Sequence, residues 1–320
     1  MYDYFMEKLI WQMFILGTGN LDTPLKKGLG GVIFFSKDIQ TEAQFKNLIT
    51  SIKNKALIPP LLSIDQEGGR VERTENYRSK RLSARYAFEK GADFLKAQSE
   101  EISSELFELG INLNFAPCID VNTNPLNPII GERSFADNPK DVINGMNIFI
   151  DASRKFGVIP CVKHYPGHGD ADKDSHLTLP RINLSLDEME KVHILPFKNA
   201  IENNIEMIMA AHLHCTCFDK DVIPASLSKN AIGYLRKELK YDGVVISDDM
   251  FMKGVQDYGS LEAAVLGIKA GLDMFIFRES DKNTLEMIDE LVKIVEKDEF
   301  LQKRVFDSNK RIERLKKMYL

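Results

Sequence analysis

Eight short apolar runs punctuate this 320-residue chain, and their spacing restricts the possible folds more than any other feature. They are "MFILG" (13–17), "GVIFFS" (31–36), "PPLLSID" (59–65), "INLNFAPCIDV" (111–121), "VIPCVKH" (158–164), "EMIMAAHLHC" (206–215), "GVVISDD" (243–249) and "LDMFIF" (272–277). Between most of them lie stretches with apolar residues three and four positions apart. Examples are Phe45, Leu48, Ile49 and Ile52, or Leu95, Ile102, Leu106 and Leu109 ahead of Gly110, a residue type that closes helices. Strands apolar on both faces and separated by amphipathic helices form parallel sheets covered by helices. Eight such units predict an α/β fold, a (β/α)8 TIM-type barrel, with a doubly wound open sheet as the alternative. A charged tail with Leu285, Ile288, Val292 and Val295 on one stripe predicts closing helices over about 281–320, which makes 1–320 a single domain.

Polar residues gather where these runs end. Asp65 ends the third, Asp120 the fourth, Lys163 and His164 the fifth, His212 and His214 the sixth, and Asp248 and Asp249 the seventh. A lone strand-end aspartate is as well explained by capping of the next turn. Five strands ending in ionisable groups are not, because a buried charge without a partner costs several kcal/mol. In a barrel these ends converge on the face where active sites lie.

Composition narrows the partners. A net charge of −5 leaves no basic stripe for nucleic acid, and no apolar run approaches the roughly 20 residues that span a bilayer. The start "MYDYFMEKLIWQMFILGTGN" lacks a basic region and a cleavage site, and Cys118, Cys161, Cys215 and Cys217 lie in apolar contexts. Both features predict a cytoplasmic protein with reduced thiols, in which the sequon at Asn183 is accidental.

The stretch "KHYPGHGDADKDSH" (163–176) holds three of the six histidines and follows the fifth run as a long loop. In its "DSH", Asp174 stands two residues before His176, near enough to orient the imidazole as a general acid/base. A simple Asp-Ser-His turn is the competing reading. "HLHCTC" (212–217) has the look of a metal cluster, but alternation along a strand turns His212 and His214 to one face and Cys215 to the other, so no metal site is expected. Lys163 as a Schiff-base lysine leaves the loop that follows unexplained.

Five motifs in order carry a family resemblance: "DQEGGRVER" (65–73), "NFAPCIDVN" (114–122), "GERSF" (131–135), "KHYPGHGDADKDSH" and "SDDMFMKG" (247–254). Over nearly its whole length the chain resembles glycoside hydrolase family 3, in the bacterial β-N-acetylglucosaminidase branch. The resemblance implies a single catalytic barrel and a retaining exo-β-N-acetylhexosaminidase that removes terminal β-linked N-acetylglucosamine without cofactor or metal. It implies Asp248 as the nucleophile, His176 as the acid/base with Asp174 as its partner, and Asp65, Arg73, Arg133, Lys163 and His164 as the residues holding the sugar. Asp249 has a supporting part.

The chemistry of these residue types agrees. An oxocarbenium-like transition state needs an anionic nucleophile below the ring and a proton donor at the leaving oxygen, and imidazole already titrates near neutrality. The resemblance further implies peptidoglycan fragments or chitin oligosaccharides as substrates, a role in peptidoglycan recycling, and a monomer. Gln66 stands where a histidine is common, and "TENYRSK" follows Arg73 in place of an apolar residue. A family 3 β-glucosidase, an N-acetylglucosaminide phosphorylase favoured by Lys163, Arg73 and Arg133, and a non-catalytic sugar-binding barrel are the alternatives.

Overall fold

Each of the eight apolar runs contributes one strand to a closed, all-parallel barrel. The computed structural model describes residues 2–171 and 179–320. Among these the strands are, in chain order, β1 (Phe14–Leu16), β2 (Gly31–Phe34), β3 (Leu61–Ile64), β4 (Leu113–Asn114), β5 (Ile159–Tyr165), β6 (Arg181–Ile182), β7 (Met207–Ala210), β8 (His214–Cys215), β9 (Val244–Asp249) and β10 (Met274–Phe277). β6 and β8 form a small separate pair; the other eight run β1, β2, β3, β4, β5, β7, β9, β10 and close again on β1, where Phe14 pairs with Phe275 and Leu16 with Phe277. β2, β3, β7 and β10 are buried along their whole length. That is what strands need when side chains fill one face and helices cover the other.

The helices dock through the predicted stripes. In Glu42–Lys55, Phe45, Ile49 and Ile52 are buried, and Thr41 caps the first turn by accepting from the Gln44 N–H. Phe45 meets Phe34 of β2 edge to face at 5.0 Å between ring centres, an arrangement worth about 0.5–1.5 kcal/mol beyond its buried area. The helix Ala92–Leu109 ends at Gly110 with φ 84°, the left-handed conformation that glycine adopts without strain.

Two runs end as strands sooner than the sequence predicts. In 111–121 the regular strand is Leu113–Asn114, and beyond it the segment meets β5 again through a single bridge, Cys118 with Lys163; in between, the Asn114 side chain turns to bond both the N–H and the C=O of Gln66, and Pro117 cannot donate to a neighbouring strand. The run 206–215 stops at Ala210. The chain then crosses to Pro180, whose C=O accepts from the His214 N–H at 2.8 Å, and His214–Cys215 pairs with Arg181–Ile182. The expected alternation through "HLHCTC" therefore does not exist. His212 belongs to a connection, with Ser226 Oγ 2.7 Å from its Nδ1, and His214 donates from Nε2 to the Asp219 C=O at 3.0 Å.

The N-terminal face is closed by chain segments far apart in sequence. In the helix Lys282–Val295, Ile288, Val292 and Val295 are buried against the core and Leu285 packs beside them. The next helix, Glu299–Tyr319, reaches back to the first helix, Tyr2–Trp11, and beyond it: Asn309 Nδ2 donates to the Leu9 C=O, and Lys316 Nζ donates to Gln12 Oε1 and to the Pro59 C=O, all at 2.9 Å. No helix among the described residues is long and apolar enough to cross a membrane.

At the seam between β1 and β10 the Gly17 N–H donates to the Phe277 C=O at 2.9 Å, and a Cβ on Gly17 would lie 1.9 Å from the Arg278 carbonyl oxygen. The backbone has to move to admit it. Gly17→Ala is expected to cost about 3 kcal/mol or more, whereas Gly233→Ala, inside the helix Lys229–Lys237 with nothing within 4 Å, should gain about 0.5–1 kcal/mol. Urea denaturation of the two variants checks both signs.

Candidate active site

The carboxyl ends of the strands surround a cavity of about 320 Å³. Asp65 and Glu67 enter it from the loop after β3, Lys163 and His164 from the end of β5, His168 from just beyond, Asp248 and Asp249 from β9, and Arg278 from beyond β10; Arg73 and Arg133 complete the polar wall, with Phe35 beside them. Consecutive residues of a regular strand point to opposite faces. Here the ladder of β5 with β7 is irregular between Val162 and Tyr165, and that of β10 with β9 between Met274 and Ile276. At these two places the neighbouring pairs Lys163/His164 and Asp248/Asp249 all line the cavity.

The centre of the site is a buried ion cluster. Lys163 Nζ lies 2.7 Å from Asp65 Oδ1 and 2.6 Å from Glu67 Oε1. Arg133 grips Glu67 with two parallel bonds, Nε at 2.9 Å and Nη2 at 2.8 Å, the fork geometry that makes such pairs strong. Burial alone would raise the Glu67 carboxyl and lower the lysine. The two cations outweigh it at Glu67, holding the acid well below the usual carboxylate range, and the two carboxylates hold the Lys163 ammonium well above its own.

A second cluster orients His164. Its Nδ1–H donates to Asp120 Oδ2 at 2.7 Å, and Asp120 also accepts from the N–H of His164 and, at 2.6 Å, from that of His168. On the other side of the ring, Nε2 lies 3.4 Å from Arg133 Nη2. Burial pushes His168 down to about 4, so that imidazole is neutral. Cys118, Asp120 and His164 place their ligand-type atoms within 4.8 Å of one another, the one such group among the described residues. Asp120 already uses its oxygens on the two histidines, so the trio works as a holder for an imidazole.

The adjacent carboxyls of β9 diverge. Burial raises both, but His164, His212, the Asp249 N–H and Lys163 together bring Asp248 below the ordinary aspartate value. Asp249 stays above it because burial there exceeds what the Phe251 N–H and the Arg278 ion pair supply. Asp248 is therefore the more persistent anion, and Asp249 is occupied in tethering Arg278.

Of the residues singled out in the sequence, Asp65, Arg73, Arg133, Lys163, His164, Asp248 and Asp249 meet at this cavity. Asp174 and His176 lie outside the described residues. Gln66 does not face the cavity. It is buried, bonded to Glu72, Thr74 and Asn114, and it accepts from the Arg73 N–H at 2.8 Å, so it builds the loop that presents Arg73. Arg73 stacks over Phe35 at 5.7 Å and sits 3.9 Å from Asp65, and its buried Nε has no partner among the described residues. Sequence reasoning overlooked Glu67, His168 and Arg278. Glu67 left a signal, a charge between a strand end and the glycine pair of "DQEGGRVER".

Residues 22–315 match the sequence profile of the "Glycosyl hydrolase family 3 N terminal domain". The chain belongs to glycosyl hydrolase family 3. Among its family 3 relatives, Beta-hexosaminidase A of Pseudoalteromonas piscicida is 31% identical over 317 residues, covering 90% of this chain and 53% of that protein. The Beta-hexosaminidase of Photobacterium profundum is 34% identical over 272 residues, covering 83% and 79%. A solved family 3 β-N-acetylglucosaminidase from Paenibacillus sp. str. FPU-7 superposes with a TM-score of 0.91 at 32% identity, over 98% of this chain and 62% of that one. The chain thus spans about half the length of the first relative and under two thirds of this solved structure.

Because Glu67 serves two buried cations at once, Glu67→Gln should destabilise the protein by about 3–5 kcal/mol, measured by urea denaturation. The equivalent change at Glu42, whose partner Lys46 is exposed on a helix surface, should have little effect.

Proposed function

We propose that this family 3 barrel is a retaining exo-β-N-acetylhexosaminidase acting on terminal β-linked N-acetylglucosamine. The observation that carries the reading is the ionised Asp248 on the cavity wall beside Lys163 and His164, while its neighbour Asp249 is engaged with Arg278. Asp248 attacks the anomeric carbon and forms a glycosyl ester as the leaving oxygen takes a proton from His176, oriented by Asp174. Water, deprotonated by the same imidazole, then cleaves the ester and returns Asp248 to its anionic form.

Asp65, Lys163 and His164 hold the ring hydroxyls in this scheme. Arg133 reaches the sugar while Glu67 fixes its plane, and Arg73 supplies the N–H donor that is unpaired among the described residues. A cavity of about 320 Å³, at the small end of ligand sites, suits one terminal ring. The names of the relatives support the hexosaminide class, and the four free cysteines favour a reducing compartment, in keeping with cytoplasmic trimming of peptidoglycan fragments during recycling.

Phosphorolysis gains no support from the cavity charge. Arg73, Arg133, Lys163 and Arg278 face Asp65, Glu67, Asp248 and Asp249, so four cations meet four carboxyl groups. Among the described residues a phosphate dianion finds no net attraction there.

The test compares aryl β-N-acetylglucosaminide, β-glucoside and β-N-acetylgalactosaminide as substrates for the purified protein. The first should be turned over fastest, Asp248→Ala should lose at least about a thousandfold in kcat/KM, and a 2-fluoro sugar should label Asp248 alone. A label on Asp249 or Glu132 removes the assignment. His176→Ala should slow substrates with poor leaving groups far more than activated aryl glycosides in the first step. Equal losses make His176 a residue that positions the sugar.

A further inference from the structure

Outside the cavity, the chemistry that no catalytic step uses is concentrated in the turn after β8. Cys215 Sγ and Cys217 Sγ lie 3.3 Å apart. The backbone forces them together, since the Cys215 C=O accepts from the N–H groups of Phe218 at 3.1 Å and Asp219 at 3.3 Å, which folds Cys217 back over Cys215. The turn is anchored at both ends. Thr216 donates from its N–H and its hydroxyl to the Ile182 C=O at 3.1 and 3.2 Å. The Asp219 carboxylate accepts from Ser228 and, at 2.8 Å, from Asn230, at the start of the helix Lys229–Lys237.

The two thiols differ in access and acidity. Cys215 is buried in a small apolar cluster with Ile182, Met189 and Leu213, whereas Cys217 lies at its edge, partly exposed. The hydrogen bond between the two sulfurs lowers the Cys217 thiol below its ordinary value, and together with burial raises Cys215. An accessible, more acidic thiol with a second sulfur already in contact is the arrangement of an attacking and a resolving cysteine. Cys118 and Cys161 are both buried, and burial raises both of their thiols.

We propose that Cys215 and Cys217 form a reversible disulfide site for oxidants of the small-molecule disulfide class. The Cys217 thiolate attacks one sulfur of the oxidant, forming a mixed disulfide and expelling one thiolate. Cys215, losing its proton to solvent, then attacks the Cys217 sulfur and expels the second thiolate. Two electrons pass from the cysteine pair to the oxidant, which leaves as two thiols once the protons are taken up.

The probe is glutathione disulfide added to the folded, full-length chain, followed by thiol counting and peptide mass analysis. Two of the four thiols should disappear at least about tenfold faster than the rest. The tryptic peptide 199–220, which holds both cysteines, should lose two hydrogens and keep no glutathione, and dithiothreitol should restore it. Cys215→Ser should stop at the mixed disulfide with glutathione held on Cys217, and Cys217→Ser should lose the fast reaction. A stable glutathione adduct on Cys217 in the unaltered protein, oxidation of Cys118 or Cys161 at the same rate, or no reaction at all overturns the proposal. The result from the unaltered chain decides even if a variant folds poorly.

Discussion

Lys163 is 2% exposed, and the mouth of the barrel is arranged around its charge. An ammonium removed from water to that degree destabilises the fold by several kcal/mol unless anions meet it at close range. Asp65 and Glu67 do so from one loop, and Glu67 in turn fixes Arg133 from another. Three chain segments that share no regular secondary structure at this point are therefore held in register by charge. The positions of the cavity-lining groups follow from that balance: Arg133 stands beside His164, and His164 is turned by Asp120 so that Nε2 faces the guanidinium.

The same balance explains how a site rich in ionisable groups stays compatible with folding. Each cation in the cavity wall has a carboxylate nearby, and Arg73, whose Nε has no partner among the described residues, is partly exposed and stacked on Phe35. Interactions that a ligand can complete are thus separated from those the protein completes for itself. The contrast between Asp248 and Asp249 has the same origin, since two carboxyls in sequence differ because their neighbours differ.

The barrel was legible in the sequence because its signal is local: each strand is a short β-branched or apolar run, and each helix carries its stripe within a few turns. Strand ends were less legible. Where β4 stops depends on Asn114 finding Gln66, and where β7 stops depends on Pro180 accepting from His214, contacts that no periodicity records. The candidate site shows the same division. Asp65, Lys163, His164 and Asp248 stood out as ionisable groups at the ends of apolar runs. The pairing of Lys163 with Asp65, 98 positions apart, and the sharing of Glu67 between two cations arise only once the barrel has closed.

Closure itself sets a timetable. The Lys316 Nζ that bonds Gln12 and Pro59 lies 304 positions after Gln12, and β1 is flanked on one side by β10. On a ribosome adding about 5–20 residues per second, that separation corresponds to roughly 15–60 s. For most of that interval Phe14 lacks Phe275 and Phe277, and the β10 edge of β1 stays open. The nascent chain must carry one open edge of an apolar strand for longer than most small domains take to fold.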